Sequence, residues 1–436
     1  MLHRTADVVL RRFFAGLGVG SISVLVPLYQ SEMAPKWIRG TLVCAYQLAI
    51  TTGLFLAAAV NILTQKIDNP NAYRIPLGLQ FVWAGVLLLG LMVLPETPRY
   101  LIKRNLHAAA ALSLSRLRRL DITHPALIEE LAEIEANHEY ELSLSPATYR
   151  DAFVGSPHLG RRLATGCVLQ MLQQLSGCNF IFYYGTTFFT HIGIKSPFVI
   201  ALITNIVNVV STIPGMFLVE SLGRRRLLMI GASGMAVSQL VVAATGTAVA
   251  EAEQKIPSVV ILFVCIYIFF FASSWGPVVW VVTSEIYPLK VRAKSMSIAI
   301  AGNWILNFAI AYGTPYLVNS GYANLQTKVF YVWGCFCVLS FVFVWCMVYE
   351  TSKISLEQID EMYERVDYAW NSKSFQPSWS FQEMRDEGAS SSGIQLTDTE
   401  DSRRRASASV SATGSGTTVT EEDKIIAQLG EVDLSY

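Results

Sequence analysis

The stretch SEMAPKWIRG occupies residues 31–40, and a near copy, SEIYPLKVRA, occupies residues 284–293. Both copies carry Ser, Glu, Pro and Arg at the same places, and Glu285 lies 253 residues after Glu32. Each copy forms a short bridge between two long apolar runs. A charged bridge that recurs in this setting indicates a chain built from two related halves.

The composition predicts a membrane protein. Of the 436 residues, 52% are hydrophobic and only 15% are charged, and the mean hydropathy is +0.41. Soluble domains usually carry about 25% charged residues. The formal net charge is zero, which gives no reason to expect a nucleic-acid partner. We therefore expect a protein embedded in lipid. The seven Cys show no metal-ligand spacing, so we expect no metal or other cofactor. The sequence also shows no nucleophile–base pair, so we expect no enzymatic activity.

Runs of about 20 apolar residues predict the membrane spans of an all-α protein. The nine spans cover residues 12–30, 41–63, 75–94, 163–187, 197–219, 227–248, 257–284, 296–318 and 328–349. Residues 95–162 are polar and predict a helical linker, and residues 350–436 predict a tail that is disordered after about residue 370. The linker is rich in arginine, which places the linker and the tail in the cytoplasm.

The repeat also predicts the architecture. Shifted by 253 residues, the last three spans fall on the first three, whereas the spans at 163–248 fall before Met1. We therefore expect a partial first half over residues 1–94, a six-helix second half over residues 163–349, and three of twelve helices missing upstream. Two six-helix halves in parallel repeat are the plan of the major facilitator fold.

Polar side chains recur inside the apolar spans, where amides are costly unless they are paired or face a cavity. They form stripes on three spans: Gln47 and Thr51; Thr204, Asn208 and Ser211; Asn303 and Asn307. A sugar offers many hydroxyls and no net charge, so amides beside a flat apolar surface suit it. Hydrogen bonding between helices is the alternative interpretation.

Several motifs support the sugar interpretation. They are GTLVCAYQLAITTG (40–53), PETPRYL (95–101), LQQLSGCNFIFYYGTTFF (172–189), VESLGRRRLL (219–228), WGPVVWVVTSEIYPLKVRAKS (275–295), GNWILNF (302–308) and YETSKISLEQID (349–360). This set resembles the sugar porter family of major facilitator transporters, in particular its fungal hexose branch. The resemblance implies alternating-access transport of a monosaccharide, with a hexose favoured, across the plasma membrane, by proton symport or by facilitated diffusion.

The resemblance also implies roles for individual residues. The sugar-binding positions are Gln47, Gln173, Gln174, Asn179, Asn208, Trp280 and Asn303, and Tyr183 and Tyr184 match an extracellular gate. On a straight helix Asn179 would lie about 240° around from Gln173, so we expect a break at Ser176–Gly177. Trp280 follows Gly276–Pro277 and would offer a stacking face, although these aromatic residues could also be ordinary interface aromatics.

Charged residues at the cytoplasmic span ends form the remaining candidate site. The predicted gate consists of Glu32 with Arg39, Glu220 with Arg224 and Arg225, and Glu285 with Arg292. A network that forms only when this side closes would favour one of two conformations. Topology and helix capping would explain the arginines but not the repeated glutamates.

Two departures from the family pattern bear on function. Ala272 stands where mammalian-type glucose carriers have a glutamate, and the acidic residue that proton-coupled members carry in their first helix has no counterpart. A non-transporting sugar sensor or a truncated relic is therefore the alternative to a carrier. Coding sequence for three spans just upstream of Met1 would favour the carrier. Ser407, in RRRAS, is a candidate kinase substrate.

Overall fold

The computed structural model describes residues 2–35, 38–143, 148–155, 158–191, 196–248, 256–288, 290–318, 325–352, 354 and 356–375. The predicted phosphorylation site Ser407 lies outside these residues. Within them the chain forms sixteen α-helices and no β-strand. They are α1 (Leu2–Met33), α2 (Arg39–Thr64), α3 (Asn71–Val93), α4 (Pro98–Lys103), α5 (His107–Arg118), α6 (Pro125–Ser143), α7 (Asp151–Val154), α8 (Leu159–Leu175), α9 (Cys178–His191), α10 (Pro197–Ser221), α11 (Arg224–Ala248), α12 (Ile256–Phe270), α13 (Gly276–Glu285), α14 (Arg292–Val318), α15 (Val329–Met347) and α16 (Leu356–Arg365).

The structure confirms eight of the nine predicted membrane spans. Eight helical segments in the described residues are long and apolar enough to cross a membrane. The ninth span, predicted over 163–187, is divided into α8 and α9, each shorter than a full crossing. The chain is therefore a multi-pass, all-α membrane protein. Every side chain of α3 is at least partly exposed, as expected for an apolar helix that faces lipid.

The break between α8 and α9 lies where the sequence predicts it. Gly177 has a φ of +86°, a left-handed conformation that suits glycine. The Ser176 carbonyl, which no longer accepts within a helix, accepts from Gln239 Nε2 at 3.1 Å and from the Tyr267 hydroxyl at 3.0 Å. The Trp333 indole covers the break, and a Cβ on Gly177 would lie 2.7 Å from its ring. Side chains of three helices therefore hold the break in place.

We expect Gly177→Ala to destabilise the folded protein, because alanine would be strained at this φ and would collide with Trp333. A positive φ costs a non-glycine residue roughly 1–3 kcal/mol. The apparent Tm of the detergent-solubilised chain should fall by several degrees. Gly78→Ala is the matched control, since a Cβ at Gly78 meets nothing within 4 Å. An unchanged Tm for Gly177→Ala would contradict the account of the break.

A second irregularity joins α12 to α13. Residues Phe271–Trp275 form one π-helical turn, and all five side chains are buried. Pro277 lies two residues after this turn and has no backbone N–H to donate. The Trp275 indole fixes this turn by donating to the Leu228 carbonyl at 2.9 Å. Such single π turns occur frequently at functional sites.

After α15 the chain folds back onto the start of α8. Arg162 is fully buried, pairs with Asp360 of α16, and places its guanidinium 4.0 Å from the centre of the Tyr363 ring. The Tyr349 hydroxyl donates to the carbonyls of Val366 and Asp367 at 3.0 and 2.9 Å. Burial raises the pKa of the Tyr363 hydroxyl well above its usual range. The described part of the segment after α15 is thus fastened to the second half.

Candidate functional site

Five amide side chains meet where α8 breaks and α14 passes. This amide cluster consists of Gln170, Gln173, Gln174, Asn179 and Asn303. Asn303 Nδ2 donates to Gln170 Oε1 at 2.7 Å and to Gln173 Oε1 at 3.0 Å. Gln174 Nε2 donates to Asn303 Oδ1 at 2.8 Å, and Asn179 Nδ2 donates to Gln174 Oε1. The predicted break therefore brings Asn179 and Gln174 together.

The other hydrogen bonds of the amide cluster involve neutral groups. Gln173 Nε2 donates to the carbonyls of Trp275 and Gly276 at 2.9 and 3.1 Å, beside the π-helical turn. Gln170 Nε2 donates to Thr283 Oγ1 at 3.2 Å. In the part of the chain that the structure describes, every hydrogen-bond partner of the cluster is an amide, a hydroxyl or a backbone carbonyl. Such a site suits a neutral, polyhydroxylated ligand.

The first half contributes α2 to the same region. A Cβ placed on Gly276 would lie 3.1 Å from Gln47 Nε2, so Gln47 closely approaches the residue whose carbonyl accepts from Gln173. The Tyr46 ring meets the Trp280 ring edge-on, with centroids 5.2 Å apart. Trp280 is buried against Tyr46 of α2, which argues against an interface tryptophan, and its stacking role stays a prediction.

Asn208 lies on α10 and makes no hydrogen bond to the amide cluster. It is buried, and its Oδ1 has no hydrogen-bond partner among the described residues. A buried acceptor without a donor costs about 1–3 kcal/mol. A ligand hydroxyl could supply the missing donor.

The two predicted gate tyrosines have different surroundings. The Tyr184 hydroxyl donates to the Ala311 carbonyl of α14 at 2.8 Å and fastens α9 to α14. Tyr183 is exposed, and its hydroxyl accepts from Asn307 Nδ2 at 3.5 Å. Only Tyr183 therefore faces open space, and the gate role of both residues stays a prediction.

Charged residues gather at the end of the bundle that carries Arg39, Arg224 and Arg292, here called the basic end. Arg224 contacts Glu220 at 2.8 Å and Glu285 at 3.0 Å, and Thr351 donates to Glu285 at 2.7 Å. Arg224 and Glu285 are only 3% and 4% exposed. These residues form a buried ion-pair network.

The network lies against the first half. A Cβ on Gly40, in the first turn of α2, would lie 2.5 Å from Glu220 Oε1 and 2.6 Å from Arg224 Nη2. The next residue, Thr41, donates through Oγ1 to the Met216 carbonyl of α10 at 3.0 Å. Glycine at position 40 thus allows the start of α2 to contact the ion pair, and the two halves meet at the basic end.

Part of the predicted gate has different contacts from those expected. Both carboxylate oxygens of Glu285 accept from Arg224, whereas Arg292 donates through Nε to the Tyr287 carbonyl. Arg225 bonds the Trp345 carbonyl through Nη2 rather than Glu220. The repeat pairs Glu285 with Arg292 in sequence, and the structure adds Arg224, because α11 begins next to the end of α13.

Glu350 adds a contact that sequence reasoning missed. Its carboxylate accepts from the backbone N–H groups of Arg224 and Arg225 at 2.8 and 3.1 Å and so caps the start of α11. A Cβ on Gly223, where φ is +86°, would collide with this carboxylate. Gln170 and Tyr46 were missed as well. Gln170 could have been found, because it lies on one helical face with Gln173 and Gln174.

Comparison with known proteins supports a common origin. The family model described as "Sugar (and other) transporter" matches residues 4–363. The chain is 68% identical over 393 residues to "Probable glucose transporter rco-3" of Neurospora crassa, covering 88% of this chain and 66% of that protein. It is 43% identical over 376 residues to "High glucose sensor RGT2" of Saccharomyces cerevisiae, covering 84% of this chain and 49% of that sensor. The chain thus spans about two thirds of the first relative and half of the second.

Solved structures give the same picture. The proton:xylose symporter XylE bound to 6-bromo-6-deoxy-D-glucose superposes with a TM-score of 0.70 at 28% identity, covering 81% of this chain and 74% of XylE. The inward-open conformation of XylE from E. coli superposes less well, with a TM-score of 0.55 at 26% identity, covering 77% and 68%. The fold is therefore that of the major facilitator superfamily.

Proposed function

This chain belongs to the sugar transporter family of the major facilitator superfamily, and we propose that it carries a monosaccharide, with a hexose favoured, across a membrane by alternating access. The observation that carries the proposal is the amide cluster at the broken helix, next to which Gln47 of α2 approaches Gly276. The cluster offers both donors and acceptors, as a hexose ring requires.

Sugar binding on this site would exchange one set of hydrogen bonds for another. In this structure the amides of the cluster bond one another. A hexose hydroxyl both donates and accepts, so it can replace an amide partner without leaving a polar group unpaired. Asn208 Oδ1 would gain a donor that it lacks. The Trp280 ring offers a flat apolar surface to the C–H face of the sugar.

Alternating access requires at least two conformations, and we assign the present one to a state that is closed at the basic end. The start of α2 lies against the Glu220–Arg224 pair, so the halves are in contact there. We assign the basic end and the chain after α15 to the cytoplasm, since arginine and lysine concentrate in cytoplasmic loops, and the chain to the plasma membrane.

Uptake of labelled glucose into a host that lacks its own hexose carriers tests this function. We expect saturable uptake that excess unlabelled hexose competes away. Measurements with and without a protonophore separate proton symport from facilitated diffusion. Protein that reaches the membrane but takes up no hexose, pentose or polyol would overturn the proposal.

Asn208→Ala should raise the sugar concentration for half-maximal uptake about tenfold, because it removes one acceptor, worth about 1.4 kcal/mol. Surface abundance should not fall, since Asn208 Oδ1 bonds no described residue. Thr212→Val on the same helix is the matched control. Its hydroxyl only donates to the Asn208 carbonyl. Equal loss of uptake and of surface protein in Asn208→Ala would make Asn208 a packing residue.

A sugar sensor is the second candidate function, and the likeness to RGT2 favours it. A sensor would bind hexose at the same amides without passing it through. Binding of glucose to the purified chain together with absent uptake in cells would support the sensor. Binding together with uptake supports the carrier.

A further inference from the structure

Two polar side chains from neighbouring helices, Gln239 of α11 and Tyr267 of α12, meet at the break between α8 and α9. Both donate to the Ser176 carbonyl, at 3.1 and 3.0 Å, and we call this pair the carbonyl clamp. Each side chain is only 1% exposed. Among the described residues, neither of them bonds an amide of the cluster. The clamp therefore acts on the backbone of the break and not on the candidate sugar site directly.

The broken backbone explains why polar groups lie here. An amide and a hydroxyl inside membrane-spanning helices are costly unless they are paired. The break leaves the Ser176 carbonyl without a helical donor, and a buried acceptor without a donor costs about 1–3 kcal/mol. The clamp supplies two donors to this carbonyl. It thus fixes the direction in which the Ser176–Gly177 peptide points.

The same peptide separates amides that bond each other across the break. Gln173 and Gln174 lie in the last turn of α8, and Asn179 lies in the first turn of α9. Asn179 Nδ2 reaches Gln174 Oε1 because the chain turns between them. Ser176 Oγ, which lies 3.1 Å from the Tyr267 hydroxyl, donates to the Gln173 carbonyl at 2.7 Å. A change in the direction of the peptide would therefore move Asn179 relative to the two glutamines.

Tyr267 also connects the break with the π-helical turn. Its ring stacks on Phe271, with centroids 6.1 Å apart and planes at 19°. Phe271 is the first residue of that turn, and the carbonyl of its last residue, Trp275, accepts from Gln173 Nε2 at 2.9 Å. One tyrosine thus contacts both irregular segments that surround Gln173.

We propose that Gln239 and Tyr267 are positioning residues for sugar binding. By fixing the Ser176 carbonyl they hold Asn179 beside Gln174, in the arrangement that a hexose meets. The inference rests on the proposed function and deepens it, since it adds residues that act on the sugar through the break. A purely stabilising clamp would change only the amount of folded protein. A positioning clamp changes the affinity for sugar, and its effect depends on Asn179.

Tyr267→Phe tests this role, because it removes only the hydroxyl and keeps the ring on Phe271. Half-maximal uptake should require roughly three- to tenfold more glucose, as expected for one hydrogen bond, with an unchanged maximal rate per surface protein. In an Asn179→Ala background the same substitution should change this concentration less than about twofold, since coupled side chains have non-additive effects. In an Asn208→Ala background it should keep its full effect, because Asn208 Oδ1 bonds no described residue.

Two further variants on α11 complete the experiment. Gln239→Met removes the other donor and should repeat the pattern of Tyr267→Phe. Ser238→Ala is the matched control, since its buried hydroxyl donates to the Gly234 carbonyl of its own helix at 2.7 Å. It should leave the half-maximal glucose concentration unchanged.

Two results would overturn the positioning role. One is an equal effect of Tyr267→Phe in the parent chain and in the Asn179→Ala background. The other is a loss of surface protein with an unchanged half-maximal concentration in both clamp variants, which would make the clamp a packing contact. The proposed function fails separately, because glucose dissociation constants of the purified chain give the same comparison without transport. A chain that binds glucose but takes none up would refute the carrier, while the dependence on Asn179 would still confirm the clamp.

Discussion

Replacing Arg224 with methionine should abolish uptake and strongly destabilise the protein. Arg224 neutralises the buried carboxylate of Glu285 and also holds Glu220. Removing one partner of a buried ion pair costs about 3–5 kcal/mol, because the other charge stays buried without compensation. The apparent Tm should fall by several degrees, and less protein should reach the membrane.

Arg226→Met is the matched control, since it removes the same charge from a neighbouring exposed side chain. Cys44 reports separately on the gate, because it is fully buried near Arg224, Glu220 and Glu285. If the network holds the basic end closed, a membrane-impermeant maleimide applied from that side should modify more Cys44 in Arg224→Met, as measured by peptide mass spectrometry. Unchanged Tm and unchanged Cys44 modification would contradict both roles of Arg224.

Asn303→Ala should lower glucose uptake at least a hundredfold. Its amide bonds Gln170, Gln173 and Gln174 at once, so alanine removes the centre of the cluster and leaves buried donors and acceptors unpaired. Two or more lost hydrogen bonds in a dry site amount to about 3 kcal/mol, which corresponds to roughly a hundredfold in affinity.

Thr314→Ala controls for a general loss of buried polar groups on α14, since its hydroxyl donates only to the Ile310 carbonyl one turn earlier. Asn303→Gln should recover part of the uptake, because it keeps the amide. If Asn303→Ala and Thr314→Ala showed comparable uptake, the Asn303 amide would not be central to sugar binding.

The sequence was sufficient for the features that depend on local pattern. Apolar runs located the spans, and the angle between Gln173 and Asn179 predicted the break at Gly177, which the structure confirms. These features follow from helix periodicity and from the special conformations of glycine.

Features that depend on which helix ends meet in space were not predictable in this way. The repeat paired Glu285 with Arg292, and the structure adds Arg224, because α10, α11 and α13 come together at the basic end. The π-helical turn at Phe271–Trp275 has no characteristic pattern of apolar residues that would predict it. It depends on the hydrogen bonds that Trp275 makes to Leu228 and Gln173 makes to Trp275.

The cap that Glu350 places on α11 has a mechanical consequence. Its carboxylate, together with Arg162 and Tyr349, fastens the described residues between 350 and 375 to the second half. In the proposed transport cycle the two halves rock against each other, and this piece would move with the second half. A protein bound to this piece would therefore be displaced in each cycle of the proposed transport.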